Sequence, residues 1–332
     1  MNKAFFLLPG VMIVFFSLVH FSVNGQKKND LILFGRGIYP GDDSSYTMIR
    51  NAGFSTFILS SFYIRSNGDV YSGDDGRHPI IHNGSYTGDK EWISRISALR
   101  NKKTGIKRIE ILLEGRWFNQ APNTYDFIRD WLDSNKAEQN VIPGTGDNST
   151  LYGILKIFKE VIGADAICID DESVYDSLSI IRLGEMTRRA GMKMSLCPYT
   201  KTSYWKYILD NSYSGLVDAV YLQCYDGGSR NTPGPWVAAL GGAVPIYPVF
   251  LCRGAFSACS TNHNSKTPGE IGSLMNQYKK EYPLLSGGGI WQMADIKSFV
   301  QMNCKISDPS SGTAGSIKEY LEQLKNALQL NE

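Results

Sequence analysis

The most constraining feature of this sequence is an alternation that can be counted. Eight short apolar runs, at 31–34, 54–59, 106–113, 164–169, 193–197, 218–224, 244–252 and 289–293, are separated by stretches with helical punctuation. Ser44 and Ser45 open a short helix that stops at Gly53, and Asp89 opens one with Trp92, Ile93, Ile96 and Leu99 on one face. Ser149 starts a third, carrying Leu151, Ile154, Leu155, Phe158 and Val161 and closed by Gly163. Others run from about residue 174 to Gly191, near 268–282, and along Ile317, Tyr320, Leu321, Leu324 and Leu328. Such caps and glycines satisfy the free N–H and C=O groups of helix ends. A strand followed by a helix returns to the sheet as a parallel neighbour. Eight such units predict a single (β/α)8 barrel. An open doubly wound sheet is the alternative, but no glycine-rich phosphate turn follows the first run. The longest connection, 114–163, leaves room for an extra helix near 123–135. The Ser/Gly-rich residues 307–316 read as a loop, and no second domain is expected.

The N-terminus sets an expected compartment. Met1-Asn2-Lys3 precedes a nearly unbroken apolar stretch to Val23, and Val23-Asn24-Gly25 supplies small residues before Gln26. This pattern is a secretory signal at residues 1–25, cleaved near Gly25, with 26–332 as the barrel. A retained membrane anchor is the competing reading, because the stretch approaches spanning length. Export to a periplasm, cell surface or medium is the expectation.

Composition narrows the partners. A net charge of +2, with acids and bases interspersed, gives no electrostatic footprint for nucleic acid. Six cysteines, Cys168, Cys197, Cys224, Cys252, Cys259 and Cys304, include no Cys-x-x-Cys pair. Beyond the leader only His78, His82 and His263 remain, so no metal or cofactor site is expected. Cys252 and Cys259 are close enough to pair. An acidic loop at 67–75 matches no calcium-ligand spacing. The chain is expected to be a monomer.

Barrel chemistry sits where strands end. The runs exit into Gly35-Arg36, Ser60-Ser61-Phe62-Tyr63, Glu114-Gly115-Arg116-Trp117, Asp170-Asp171-Glu172, Pro198-Tyr199, Gln223-Cys224-Tyr225-Asp226, Arg253 and Trp291-Gln292. Carboxylates, hydroxyls and aromatics thus share one rim, which suits carbohydrate. Tyr199, Trp117, Trp205 and Trp236 are further candidates for stacking on sugars.

The fourth run reads ADAICIDDES, and side chains alternate along a strand. Ile167 and Ile169 suit the layer facing the helices, with Asp165 and Asp171 on their side. Cys168, Asp170 and Glu172 then point into the barrel, Glu172 at the mouth and Asp170 one step deeper. A carboxyl group in a crowded mouth beside another has the raised pKa that a general acid needs. Helix capping is the other use for such acids, and it fits Asp171 better than Asp170.

Here the sequence resembles glycoside hydrolase family 18, whose fourth strand ends in Asp-x-x-Asp-x-Asp-x-Glu. Asp165, Asp170 and Glu172 match, Cys168 replaces the second acid, and the Asp-Asp-Glu ending is similar to the endo-β-N-acetylglucosaminidase branch. Gln223-Cys224-Tyr225-Asp226 and Gly288-Gly289-Ile290-Trp291 resemble the family's sixth and eighth strands. Leu113-Glu114-Gly115 departs from its third, Ser-x-Gly-Gly. The resemblance implies a glycosidase acting on a GlcNAc-containing glycan without a protein nucleophile, the substrate's acetamido oxygen attacking instead. Glu172 would be the acid and base. Asp170 would hold the acetamido N–H, Tyr225 and Gln223 its oxygen, and Trp291 would floor the cleaved sugar, with Asp226 and Tyr199 beside it. Cys168 is expected to leave activity with an altered pH dependence. The short connection after the seventh strand implies an open groove, suited to the chitobiose core of N-linked glycans rather than linear chitin. A glycan-binding protein that does not cut is the second reading, supported by Cys168 and the altered third strand.

Overall fold

The eight apolar runs form eight strands whose hydrogen bonds close a ring. β1 (Asp30–Gly35), β2 (Thr56–Ile64), β3 (Arg108–Glu114), β4 (Ala166–Asp170), β5 (Lys193–Leu196), β6 (Val217–Gln223), β7 (Ile246–Leu251) and β8 (Gly287–Trp291) pair in chain order, all parallel. β1 pairs with both β2 and β8, which shuts the barrel. The chain folds as a single (β/α)8 barrel. This computed structural model describes residues 30–35, 43–73, 78–115, 123–132, 136–254, 264–301 and 316–330. The expected leader at 1–25, Arg36, Trp117, Cys259, His263, Cys304 and most of the 307–316 loop lie outside the described residues.

Helices follow as the punctuation predicts: α1 (Asp43–Ala52), α2 (Lys90–Leu99), α3 (Thr124–Leu132), α4 (Thr150–Ile157), α5 (Ser177–Arg189), α6 (Thr202–Asn211), α7 (Pro233–Leu240), α8 (Pro268–Glu281), α9 (Met293–Gln301) and α10 (Ile317–Leu328). Asp89 and Ser149 accept from Glu91 N–H and Tyr152 N–H at the starts of α2 and α4. Thr267 and Ser316 form reciprocal capping boxes with Glu270 and Glu319.

Some boundaries differ from the sequence reading, each for a local reason. α4 runs into a wider π turn, Phe158–Ile162, before Gly163 ends it in the left-handed region. The extra residue per turn rotates Val161 to the surface, 38% exposed, while Phe158 stays buried. α5 starts at Ser177 rather than near 174, because Asp176 caps it. β8 lies two residues earlier than the apolar run, since Met293 opens α9. Gly287 is then required: a Cβ there would fall 2.1 Å from the Asp30 carbonyl oxygen. After β2 the chain makes an antiparallel excursion through short strands Val70–Ser72, Ile81–His82 and Ser85–Tyr86. Asn83-Gly84, both at positive φ, form its turn, and that dipeptide is a sequence signal for a hairpin. Asn67 and Asp69 hydrogen bond each other, and Asp69 holds His82 Nδ1 at 2.8 Å. These side chains brace the excursion.

Strand parity sorts the core into two layers. Leu31, Leu33, Ile109, Ile111, Leu113, Ile167, Ile169, Leu196, Val220, Leu222, Phe250 and Ile290 pack outward against the helices. Ile32, Phe34, Leu112, Cys168, Cys197, Ala219, Tyr221, Val249 and Leu251 fill the barrel. Fully burying each large apolar side chain contributes about 1.5–3 kcal/mol, so the two layers hold the ring from both sides.

The N-terminal end of the barrel is closed by charge. Arg108 clasps Asp218 through Nη1 at 2.7 Å and Nη2 at 2.8 Å, and its Nε reaches the fully buried Glu110. Ser195 and Tyr221 hydroxyls donate to the same Glu110 carboxylate. Each acceptor oxygen of Glu110 is occupied, as a buried carboxylate requires.

Candidate active site

At the opposite end of the barrel the described residues Glu114, Asp170, Glu172, Tyr199, Gln223, Tyr225, Asp226, Gly227, Trp291, Gln292 and Asp295 line a cavity of about 490 Å³. All seven site residues expected from the sequence border it. They come from the ends of β4, β5, β6 and β8, where parallel strands deliver their last inward side chains.

The acid pair is joined by one amide. Gln223 Nε2 lies 3.1 Å from Asp170 Oδ1 and 3.0 Å from Glu172 Oε1, and 3.1 Å from the Cys197 carbonyl oxygen. Gln223 is buried, so a single fixed nitrogen sets the geometry of both carboxyl groups. Asp170 is buried and Glu172 stands exposed on the rim. Burial pushes the Asp170 carboxyl well above the usual range, and the charges of Glu172 and Glu114 push it further. Glu172 is also raised, first by desolvation in the crowded mouth; the Gln223 N–H opposes this, and Glu114 and Asp226 add to it. A carboxyl group whose pKa is raised holds its proton further up the pH scale and can give it to a leaving oxygen.

Asp171 turns the other way, as parity predicts. Its carboxylate accepts from Ser173 N–H (3.1 Å), Val174 N–H (2.9 Å), Tyr175 N–H (2.7 Å) and the Tyr204 hydroxyl (2.9 Å). It shapes the β4–α5 loop, while the helix cap itself is Asp176. Asp171→Ala strands these donors in a buried place and is expected to cost about 2–3 kcal/mol, read as a lower urea midpoint. A loss below about 0.5 kcal/mol would contradict this role. Asp165 is likewise structural, bonded to Ile109 N–H and paired with Arg100.

The aromatic floor has depth. Trp291 packs over Phe34 with centroids 5.2 Å apart and lies 6.5 Å from the ring of Tyr225. Tyr225 is buried, and that burial raises its pKa, so its hydroxyl remains a donor at the cavity wall. Tyr199 packs on Gly227, and Tyr175 hydrogen bonds Tyr199 with Lys201 Nζ 3.5 Å above the Tyr175 ring centre. Tyr175, Lys201 and Asp226 all adopt the left-handed region, so backbone strain gathers at this rim. Trp205 and Trp236 are not sugar platforms. Both are buried in the helix-facing layer, at 1% and 5% exposure, because helix periodicity turns them inward.

Several contributors escaped the sequence reading. Tyr125, on α3, donates to the Leu113 carbonyl at 2.6 Å and accepts from Asp170 N–H at 2.7 Å, locking the ends of β3 and β4 together. Asn231 donates to the Tyr199 and Gln223 carbonyls, at 2.8 and 2.9 Å, and so ties two site loops. Gln292 Oε1 is buried beside the cavity with no hydrogen-bond partner among the described residues, an acceptor that a ligand hydroxyl or N–H can satisfy. Glu114 and Asp295 bring two more carboxylates. No motif spacing announces these residues; only Glu114 and Gln292 stood visibly at strand ends.

Cys168 fills the barrel directly below Asp170 and beside Cys197; their hydrogen bond, then burial, raises the Cys197 thiol well above its usual value. Cys168, Cys197, Cys224 and Cys252 all carry buried free thiols. Cys252 is thus a free thiol here, and Cys259, its candidate partner, lies outside the described residues.

No protein-family model matches the chain, and no curated protein matches its sequence. Solved structures do share its fold. The chitinase ChiC of Aspergillus fumigatus superposes on 80% of this chain and 91% of its own, with a TM-score of 0.58 and 14% identity. The spore cortex-lytic enzyme SleL of Bacillus cereus gives 0.53 at 14% identity, over 90% of this chain and 75% of its own. A chitinase of Bacteroides thetaiotaomicron gives 0.52 at 11% identity, over 89% and 96%. At these identities the likeness establishes the barrel.

Proposed function

We propose that this chain is an exported glycoside hydrolase of the family 18 type, cutting a β-1,4 linkage beside GlcNAc within a glycan. The observation that carries this reading is the Asp170–Glu172 pair bridged by Gln223 at the mouth of the cavity. Likeness of fold to two chitinases and a cortex-lytic enzyme supports it.

The residues suit substrate-assisted hydrolysis with retention. Glu172 gives its proton to the departing glycosidic oxygen while the substrate's acetamido oxygen bonds to the anomeric carbon. Asp170, one step deeper, accepts from the acetamido N–H and balances the cationic ring. The Tyr225 hydroxyl and Gln223 hold the acetamido group, and Trp291 supports the sugar face. Glu172, now ionised, takes a proton from water as that water opens the ring at the anomeric carbon. Such positioned proton transfer contributes about 10²–10⁴-fold to rate.

The substrate we favour is the chitobiose core of N-linked glycans. β7 ends at Leu251 and α8 begins at Pro268, a connection too short for an inserted domain that would wall the cleft. An open groove admits a branched glycan. A panel of high-mannose glycoprotein, complex-type glycoprotein and linear chitin oligomers, followed by mass spectrometry, tests this. Release from the glycoproteins leaving one GlcNAc on asparagine is expected. Cleavage of chitin oligomers alone would move the substrate to chitin, and binding without release would make the chain a glycan-binding protein.

A further inference from the structure

The inference concerns Glu114 and rests on the glycosidase reading above. Glu114 is the register partner of Asp170 across the β3–β4 pair, so the two inward-facing carboxyl groups stand side by side on adjacent strands. Glu114 borders the same cavity as Asp170 and Glu172. Its Oε2 accepts the Tyr63 hydroxyl at 2.8 Å, which fixes the carboxylate from the β2 side. Below Asp170, by contrast, Cys168 offers only sulfur, a poor hydrogen-bond partner. From this arrangement we propose that Glu114 is a positioning residue for the reaction: it is the lateral carboxylate against which the Asp170–Glu172 pair retains its proton, a role Cys168 does not fill from below.

Among the described residues, the surroundings leave this task to Glu114. Asp170 faces Glu172, Asp171 and Cys168 on its own segment, Tyr125 from α3, Cys197 just after β5, and Gln223, Tyr225 and Asp226 from β6 and its loop. Asp171 is consumed by the β4–α5 loop, and Asp226 and Asp295 stand on other walls of the cavity. Neighbouring carboxylates in a desolvated site cannot all ionise together. The electrostatic effect of Glu114 on both Asp170 and Glu172 agrees in direction.

The sign of the consequence is fixed. Removing the Glu114 charge lowers the pH at which Asp170 and Glu172 lose their shared proton, and so moves the alkaline limb of kcat/KM to lower pH. Glu114→Gln keeps the shape and an oxygen for Tyr63. Its alkaline-side kcat/KM is expected to fall about fivefold or more, with acid-side values held within about twofold. Adding Cys168→Asp, which places a carboxylate beneath Asp170, is expected to restore the limb. A merely structural role would lower kcat/KM evenly with pH and would not respond to Cys168→Asp.

A second measurement stands apart from turnover. Carboxyl carbon-13 NMR of Asp- and Glu-labelled protein, assigned with Asp170→Asn and Glu172→Gln, follows the titration of the pair directly. A lower midpoint in Glu114→Gln supports the proposal whether or not wild type releases glycan. Unmoved midpoints in a folded Glu114→Gln protein overturn it, even if glycan release confirms the glycosidase reading. Should Cys168→Asp fail to fold, the Glu114→Gln titration alone decides.

Discussion

Glu172→Gln is expected to reduce glycan release by about 10²–10⁴-fold, because the amide offers no transferable proton. Binding should survive, since Gln223, Tyr225 and Trp291 are untouched, so KM should change far less than kcat. Loss of activity through unfolding is separable. Both Asp170 and Glu172 are raised from their ordinary values, chiefly by desolvation, Asp170 the more strongly. The folded state therefore binds their protons better than the unfolded chain. That stabilising contribution is complete below the ordinary carboxylate pKa and is lost as pH rises through the raised values. An amide mimics the protonated form, so Glu172→Gln and Asp170→Asn should melt no lower than wild type near neutral pH. A Glu172→Gln protein retaining more than a tenth of wild-type release would remove Glu172 as the acid.

Arg108→Met is the substitution expected to damage stability most. Arg108 is 11% exposed, and its side chain answers both Glu110 and Asp218 inside the barrel. Methionine fills the same corridor but leaves Glu110, wholly buried, facing Ser195 and Tyr221 hydroxyls without a counter-charge. Breaking a buried pair in this way costs about 3–5 kcal/mol. Urea unfolding followed by tryptophan fluorescence reads the change as a shifted midpoint with an unchanged slope. Arg108→Met with Glu110→Gln removes both charges and should recover much of the loss. A single-variant cost under about 1 kcal/mol would show that the network does not hold the closed end of the barrel.

The barrel was legible because its signals are local. An apolar run bounded by caps and glycines specifies a strand or helix with little help from elsewhere, and eight repeats leave one economical closure. The parity of ADAICIDDES was legible for the same reason. Ile167 and Ile169 must face the helices, so Asp170 and Glu172 face the cavity, and Asp171 is freed for the loop. Boundaries failed where a neighbour intervened: the π turn before Gly163 displaced Val161, and Asp176 delayed α5. Trp205 and Trp236 were misjudged because an aromatic near a rim looks alike whether it meets sugar or core.

By itself, then, the sequence determined the alternation, the ring of eight strands and the inward face of the acid strand, all consequences of backbone periodicity. Only the tertiary structure decided which residues from distant segments meet there. Gln223 bridges two carboxyl groups more than fifty positions away, Tyr125 reaches from an extra helix to the backbone of Asp170, and Glu114 stands beside Asp170 through strand register alone. Electrostatics acts through space, so the proton affinity of the site depends on those meetings and cannot be read from any one strand.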